Sequence, residues 1–230
     1  MAKKLSALLD QPLQGLLFDL DGTLVDSVPD LAVAVDAMLA AANLPLAGES
    51  RVRTWVGNGA KVLVQKALAF AQNCELAELD DAELAQQQQQ FFKYYRQSSG
   101  QHSALYAGVM PALQHWHSQG IAMAVVTNKP AEFIPHILKQ FALEDFFTVC
   151  LGGDSLPQRK PQPAPLIQAC AALAVPLDRC VMIGDSQIDV AAARAAGMPV
   201  ACVNYGYNQG QPISAANPDV VVGSLLELCA

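Results

Sequence analysis

The chain has 230 residues and a mass of 24.4 kDa, with 52% hydrophobic and 15% charged residues, which is enough to bury a core and too apolar for a disordered, collagen-like or disulfide-miniature protein. Lys and Arg number 14 against 21 Asp and Glu, giving a formal charge of −7 and a pI near 4.9, the reverse of the basic footprint that binding to nucleic-acid backbones requires. An anion can then be held only by a local cluster of lysines, backbone N–H groups or a metal ion.

The six cysteines, Cys74, Cys150, Cys170, Cys180, Cys202 and Cys229, contain no CxxC pair and stand mostly in apolar stretches, which fits a reduced, cytoplasmic setting. Lys3 and Lys4 precede an apolar Leu5, Ala7, Leu8 and Leu9, but Asp10, Gln11 and Pro12 interrupt it before a signal-peptide core is complete. No run approaches the roughly 20 apolar residues that span a bilayer. Neither a membrane nor a nucleic-acid partner is expected.

Leu16-Leu17-Phe18 is an apolar run stopped by Asp19 and followed by Gly22, the pattern of a buried strand ending in a turn. Pro29 near its start, Leu31, Val35, Met38, Leu39 and Ala42 at helical spacing, and Asn43 and Pro45 at its end predict a helix next. Residues 46–104 carry helical periodicity over 62–70 and 82–95 and no good strand run. Within them Gln86 to Gln90 reads as a solvated helix face without a function. Beyond Tyr106-Ala107-Gly108 short strands are predicted at 122–126, 147–150, 181–183, 200–203 and 220–222, alternating with helices at 111–119, 131–141, 163–173 and 188–196. Such alternation implies a parallel sheet covered on both faces by helices. The expected fold class is α/β: a Rossmann-like core of residues 1–28 and 106–230 with an all-helical cap, residues 29–105, inserted after the first strand.

Four polar clusters each follow a predicted strand: Asp19-Leu20-Asp21-Gly22-Thr23, Thr127-Asn128-Lys129, Lys160-Pro161 and Gly184-Asp185-Ser186. The carboxyl ends of parallel strands line one edge of an open sheet, so residues remote in sequence converge there. Several carboxylates, a hydroxyl and a lysine are costly to bury together unless a cation and an anion are both bound. Mg²⁺ suits such carboxylates and would keep Asp19 ionised as a nucleophile. Thr127 and Lys160 would hold the phosphoryl oxygens. Asp21, two residues beyond Asp19, is placed to protonate a leaving oxygen and then deprotonate water.

These four clusters, in this order, resemble the four motifs of the haloacid-dehalogenase-superfamily phosphatases, the first of them continuing through Leu24-Val25-Asp26-Ser27 and the last through Gln187-Ile188-Asp189. The helical block stands where that superfamily places its C1-type cap. Within it the chain is most similar to the bacterial phosphatases of 2-phosphoglycolate, through Thr54-Trp55-Val56-Gly57-Asn58-Gly59-Ala60, Gly152-Gly153-Asp154 and Tyr205-Gly206-Tyr207-Asn208. The resemblance implies Asp19 as nucleophile and Asp21 as general acid/base. It also implies Mg²⁺ on Asp19, the Asp21 backbone carbonyl and Asp185, with Asp189 supporting the metal from behind, and Thr127, Asn128 and Lys160 binding phosphate. Gln162 departs from the His that many members carry after the Lys-Pro pair, with little effect expected on the chemistry.

Taken singly, each motif has a plainer reading. Asp21-Gly22 alone is a turn, though the strand before it and the helix after it do not make a hairpin. Its glycine also comes too early for an EF-hand. Gly57-Asn58-Gly59-Ala60-Lys61 lacks both the last glycine of a dinucleotide loop and the GK[ST] of a P-loop, so on pattern alone it is a helix-entry turn. The resemblance makes it a substrate-selecting cap loop, with Arg53, Gly57, Asn58, Gly59 and Lys61 as candidate substrate contacts and Arg51 another nearby cation. His115 and His117 are too closely spaced to share a helix face and are expected at the surface.

The expected activity is Mg²⁺-dependent hydrolysis of a small anionic phosphomonoester, 2-phosphoglycolate to glycolate, through an aspartyl-phosphate, by a monomer or homodimer. Alternatives are a related phosphatase acting on pyrophosphate or a sugar phosphate, a phosphomutase, and a non-enzymatic phospho-acceptor module. Cap motion is expected about hinges at 27–30 and 104–108.

Overall fold

The structure, a computed structural model, describes residues 5–229; residues 1–4 and 230, which the expected core segments include, lie outside the described residues. Eight strands and eight helices follow in chain order: β1 (Gly15–Phe18), β2 (Val25–Asp26), α1 (Val28–Ala41), α2 (Glu49–Trp55), α3 (Ala60–Gln72), α4 (Asp81–Ser98), β3 (Ala104–Leu105), α5 (Val109–Ser118), β4 (Ala122–Val126), α6 (Ile134–Gln140), β5 (Val149–Leu151), α7 (Ala164–Leu173), β6 (Cys180–Gly184), α8 (Gln187–Ala196), β7 (Val200–Val203) and β8 (Val220–Val222).

Six strands form one parallel sheet in the order β5-β4-β1-β6-β7-β8. The first strand of the chain is thus central, which explains why Leu16, Leu17 and Phe18 are all fully buried: a parallel strand covered on both faces needs apolar residues at every position. Alternation divides them. Leu16 and Phe18 join the core shared with α1, α5 and α6, whereas Leu17 joins Leu166, Ala169, Val190 and Ala193 of α7 and α8 on the opposite face. Phe18 is wedged between Trp116 and Phe147, with ring centroids 5.6 and 5.8 Å away. Burial of such a side chain contributes about 1.5–3 kcal/mol.

The α1–α4 block lies between β2 and β3, which pair antiparallel, so the two chain crossings run side by side. Asp30, fully buried, secures the second crossing from the first: its carboxylate accepts from the main-chain N–H groups of Gly100 (2.7 Å), His102 (2.7 Å) and Ser103 (3.2 Å). Gln86 to Gln90 are exposed or half-buried along α4, as a solvated face should be.

Some element limits differ from the sequence expectation. The helix expected over 131–141 is a 3₁₀ turn (Ala131–Phe133) followed by α6, because Pro135 has no N–H to return to Ala131 and an α-helix cannot run through it. Strand β5 is displaced toward Leu151 relative to the expected 147–150, Phe147 having turned into the core. Helix α2 and the two-residue strands β2 and β3 are too short to show a period.

Candidate active site

Asp19 follows the last residue of β1, its N–H bonded to the Ile183 carbonyl of β6 and its carboxylate oxygen Oδ1 accepting from the Leu20 N–H at 2.7 Å. The turn is tight because Gly22 has φ +89° and lies so close to Asp185 that an added Cβ would sit 2.4 Å from its Oδ2. Asp185, just beyond β6, is fixed by the Thr23 hydroxyl on Oδ1 and the Tyr207 N–H on Oδ2, both at 2.6 Å.

Asp189 enters from α8. Ser186 and Asp189 cap that helix reciprocally: Ser186 Oγ accepts from the Asp189 N–H, and Asp189 Oδ2 accepts from the Ser186 N–H at 3.1 Å and from the Ser186 hydroxyl at 2.7 Å. Only glycine fits at 184, where a Cβ would meet the Asp189 carboxylate at 2.4 Å. The other oxygen, Oδ1, lies 2.6 Å from Lys160 Nζ, which also reaches Asp19 Oδ1 at 3.2 Å. Lys160, 2% exposed, is therefore clamped between the candidate nucleophile and the Asp189 carboxylate.

Asp19, Asp185 and Asp189 each bring an oxygen within 4.8 Å of the others. Burial pushes the Asp19 carboxyl up to about 6 against the pull of Lys160. Burial, then the neighbouring Asp189 and Asp19, push Asp185 well above the ordinary carboxylate range. One lysine does not balance three buried carboxylates, and the all-oxygen donor set suits a hard divalent cation. Asp19, Asp185 and Asp189 are all close enough to share one; of the three, Asp189 alone has an oxygen bonded to the Lys160 ammonium at 2.6 Å.

Asp21 points elsewhere. Its carboxylate accepts from the Ser27 hydroxyl at 2.6 Å and pairs with Lys129 Nζ at 2.8 and 3.2 Å, so of its groups only the backbone carbonyl is left to the metal role implied by resemblance. Lys129, 5% exposed, also lies 4.8 Å from the centroid of the Tyr95 ring. Burial pulls this ammonium down, and Asp21 and Tyr95 more than reverse it, keeping it charged.

Thr127, after β4, accepts from the Lys129 N–H and keeps a hydroxyl hydrogen to donate. Asn128 donates its amide to the Gly57 carbonyl (3.2 Å) and the Lys160 carbonyl (3.0 Å), tying the α2–α3 loop to the lysine loop. Its side-chain donors are spent in this way, so what it offers a phosphate is the main-chain N–H.

Asp19, Asp21, Thr127, Asn128 and Lys129 form the floor of a cleft of about 500 Å³, counting the part open to solvent, whose other wall is Leu31, Val56, Gly57, Gly59, Leu63, Phe91, Phe92, Tyr95, Pro130 and Phe133. Of the five cap residues named from sequence, Gly57 and Gly59 line this cleft and Arg53, Asn58 and Lys61 do not. Arg53 is committed to Glu49 (2.8 Å) and Asp26 (3.3 Å), and Lys61 is exposed. His117 is exposed and His115 half-buried on α5, and neither lines the cleft. Lys129, Tyr95 and Phe91 were not singled out from sequence; the Lys129 side chain could have been suspected from its motif, but nothing in the α4 pattern separates a residue facing the cleft from one facing α1.

The family described as haloacid dehalogenase-like hydrolase matches residues 16–203, most of the chain. Relatives named phosphoglycolate phosphatase include one from Pseudomonas syringae pv. syringae (strain B728a), 45% identical over 213 residues that cover 93% of this chain and 77% of the relative. Another, from Vibrio parahaemolyticus serotype O3:K6 (strain RIMD 2210633), is 44% identical over 218 residues and covers 95% of each chain. The crystal structure of a predicted phosphoglycolate phosphatase from Haemophilus somnus 129pt superposes with a TM-score of 0.89 at 39% identity, covering 95% of this chain and 97% of that one.

Proposed function

The chain belongs to the haloacid dehalogenase-like hydrolase family, and on that premise we propose that it is a phosphoglycolate phosphatase that converts 2-phosphoglycolate and water to glycolate and phosphate. The observation that carries the reading is the convergence of Asp19, Thr127, Lys160 and Asp185 at one sheet edge, where Asp19 and Thr127 open onto the cleft. The relatives' names support the substrate.

A Mg²⁺ ion held by Asp19, Asp185 and the Asp21 backbone carbonyl would neutralise phosphoryl charge and lower the proton affinity of the Asp19 carboxylate. Lys160 faces the same oxygens from the other side, and the Thr127 hydroxyl and Asn128 N–H donate to them. An Asp19 oxygen attacks phosphorus in line, the P–O ester bond breaks, and protonated Asp21 gives its proton to the departing alkoxide. Ionised Asp21 then removes a proton from water, whose oxygen attacks the aspartyl-phosphate and releases inorganic phosphate and the Asp19 carboxylate. In this reading residues 29–105 are a cap that closes over the cleft and excludes bulk water, pivoting at the paired crossings. Six free cysteines support a reducing cytoplasmic setting, and among the described residues no helix is long and apolar enough to cross a membrane.

Phosphate release from 2-phosphoglycolate, compared with pyrophosphate and several sugar phosphates, tests the assignment. Preference for 2-phosphoglycolate that is lost in EDTA and in Asp19→Asn supports it. Faster turnover of another phosphoester keeps the mechanism and moves the substrate.

A further inference from the structure

Resting on the phosphoglycolate reading, we propose that Lys129, backed by the Tyr95 hydroxyl, binds the carboxylate of the substrate and is the specificity-determining cation of the cleft. In 2-phosphoglycolate a single methylene separates the ester oxygen from the carboxylate. Asp21 must reach that ester oxygen to protonate it, so a group in contact with Asp21 is within reach of the carboxylate one carbon further on. Lys129 Nζ is that group, 2.8 Å from Asp21 Oδ1.

Its chemistry is also unspent. An ammonium has three N–H donors, and the two Asp21 oxygens occupy two of them, leaving one for a second anion. Beside it the buried Tyr95 hydroxyl has only the Lys129 ammonium and the Ser99 hydroxyl as polar neighbours and makes no well-aligned hydrogen bond among the described residues, so it is free to turn to a ligand. Tyr95 is fixed by stacking on Phe91 (5.6 Å, 6° between planes) and by an edge contact with Phe133. Among the described residues that line the cleft, Lys129 is the only cation. The other nearby cations do not line the cleft: Arg53 is paired with two carboxylates, Lys61 is exposed, and Arg159 of the lysine loop stands beside Gly59, its Nη1 3.4 Å from where a Cβ there would be. The apolar surroundings of Lys129 make a carboxylate contact there strong and make a neutral group a poor substitute.

The test uses two non-hydrolysable ligands that differ only in the carboxylate: 3-phosphonopropionate, which replaces the ester oxygen of the substrate by methylene, and propylphosphonate. Dissociation constants are measured by calorimetry in Mg²⁺ for the unsubstituted chain, Lys129→Gln and Tyr95→Phe, together with kcat/KM for 2-phosphoglycolate and ethyl phosphate. Lys129→Gln should weaken 3-phosphonopropionate about 10- to 100-fold and propylphosphonate far less. Tyr95→Phe, which removes only a hydroxyl and spares the Asp21 partner, should cut the same discrimination by about 3- to 10-fold. In both variants the ratio of kcat/KM for 2-phosphoglycolate over ethyl phosphate should fall in step, a change that general damage to Asp21 would not produce. Equal weakening of both ligands, or loss of discrimination in Arg159→Gln and not in Lys129→Gln, overturns the proposal while the substrate reading stands. Absence of any preference for the carboxylate in the unsubstituted chain overturns both.

Discussion

At and just beneath the floor of the cleft Asp19, Asp185 and Asp189 are each held by two or more partners at 2.6–3.3 Å, and Gly22 and Gly184 press the backbone against Asp185 and Asp189 so closely that a Cβ would collide at 2.4 Å. Across the gap, the wall supplied by α3 and α4 is largely aromatic and aliphatic, and the buried Tyr95 hydroxyl makes no well-aligned hydrogen bond among the described residues. The floor has no slack, as a site must when it aims charges at one transition state. The wall has slack, because a side chain there can change without unbalancing a network. Chemistry and substrate choice are therefore largely separable in this fold, Lys129 being the floor residue where they meet through Asp21, and substitutions on the two sides should fail in different ways.

The sharpest contrast comes from the floor. Asp19→Asn should lower kcat by about 10⁴-fold or more for every phosphoester, since it removes the attacking oxygen itself. Acid-quenched labelling with ³²P substrate should leave no phosphoenzyme. Asp21→Asn should lower kcat by about 10²–10⁴-fold, again irrespective of substrate. A loss confined to carboxylate-bearing substrates would show that floor and wall are not separate. Asp189→Asn should act through Lys160 and Asp185 and raise the Mg²⁺ concentration for half-maximal activity by about 10- to 100-fold, read from Mg²⁺ titrations.

The same crowding of carboxylates gives a pH signature. The Asp19 carboxyl, at about 6 in the folded chain against an ordinary 3.8, binds a proton over that interval which the unfolded chain has released. Stability of the metal-free protein should therefore fall as pH rises through that window, and Asp185, raised in the same direction, adds to the fall. Saturating Mg²⁺ should raise Tm by about 5 °C near pH 7.5 and by much less near pH 4.5, and calorimetric scans in Asp19→Asn should show a shallower pH dependence.

Much of the floor was legible in the sequence, because Asp19, Thr127 and Asp185 each follow an apolar strand directly and strand ends are fixed by the sheet. Asp19, Lys160, Asp185 and Asp189 lie together at that edge, with Asp21 turned toward Lys129. The wall was not, since a helical period identifies a buried face without saying what covers it. Phe91 and Tyr95 of α4 have the same spacing whether they meet α1 or the cleft. Lys129 illustrates a subtler limit: it stands in the Thr127-Asn128-Lys129 motif, but its pairing with Asp21 across 108 positions of sequence has no local signature. The cap cations were chosen for nearness in sequence to the Gly57-Asn58-Gly59 loop, and Arg53 turned out to have carboxylate partners on either side.

Arg53 supplies the smallest effect and the most discriminating one. Its guanidinium pairs with Asp26 and Glu49 in half-exposed positions and lies 5.3 Å from the centroid of the Tyr207 ring. Ion pairs this exposed contribute about 0.2–1 kcal/mol, so Arg53→Gln should lower Tm by about 2 °C and change KM for 2-phosphoglycolate by less than about threefold. A second path runs from Arg53 through Asp26 to the Tyr207 hydroxyl, and from the Tyr207 N–H to Asp185. If that path matters, the substitution weakens Mg²⁺ dependence equally for 2-phosphoglycolate and ethyl phosphate, which places Arg53 with the floor. A rise in KM of about tenfold or more for 2-phosphoglycolate alone would instead return Arg53 to the wall as a substrate cation, and would divide with Lys129 the work of recognising the carboxylate.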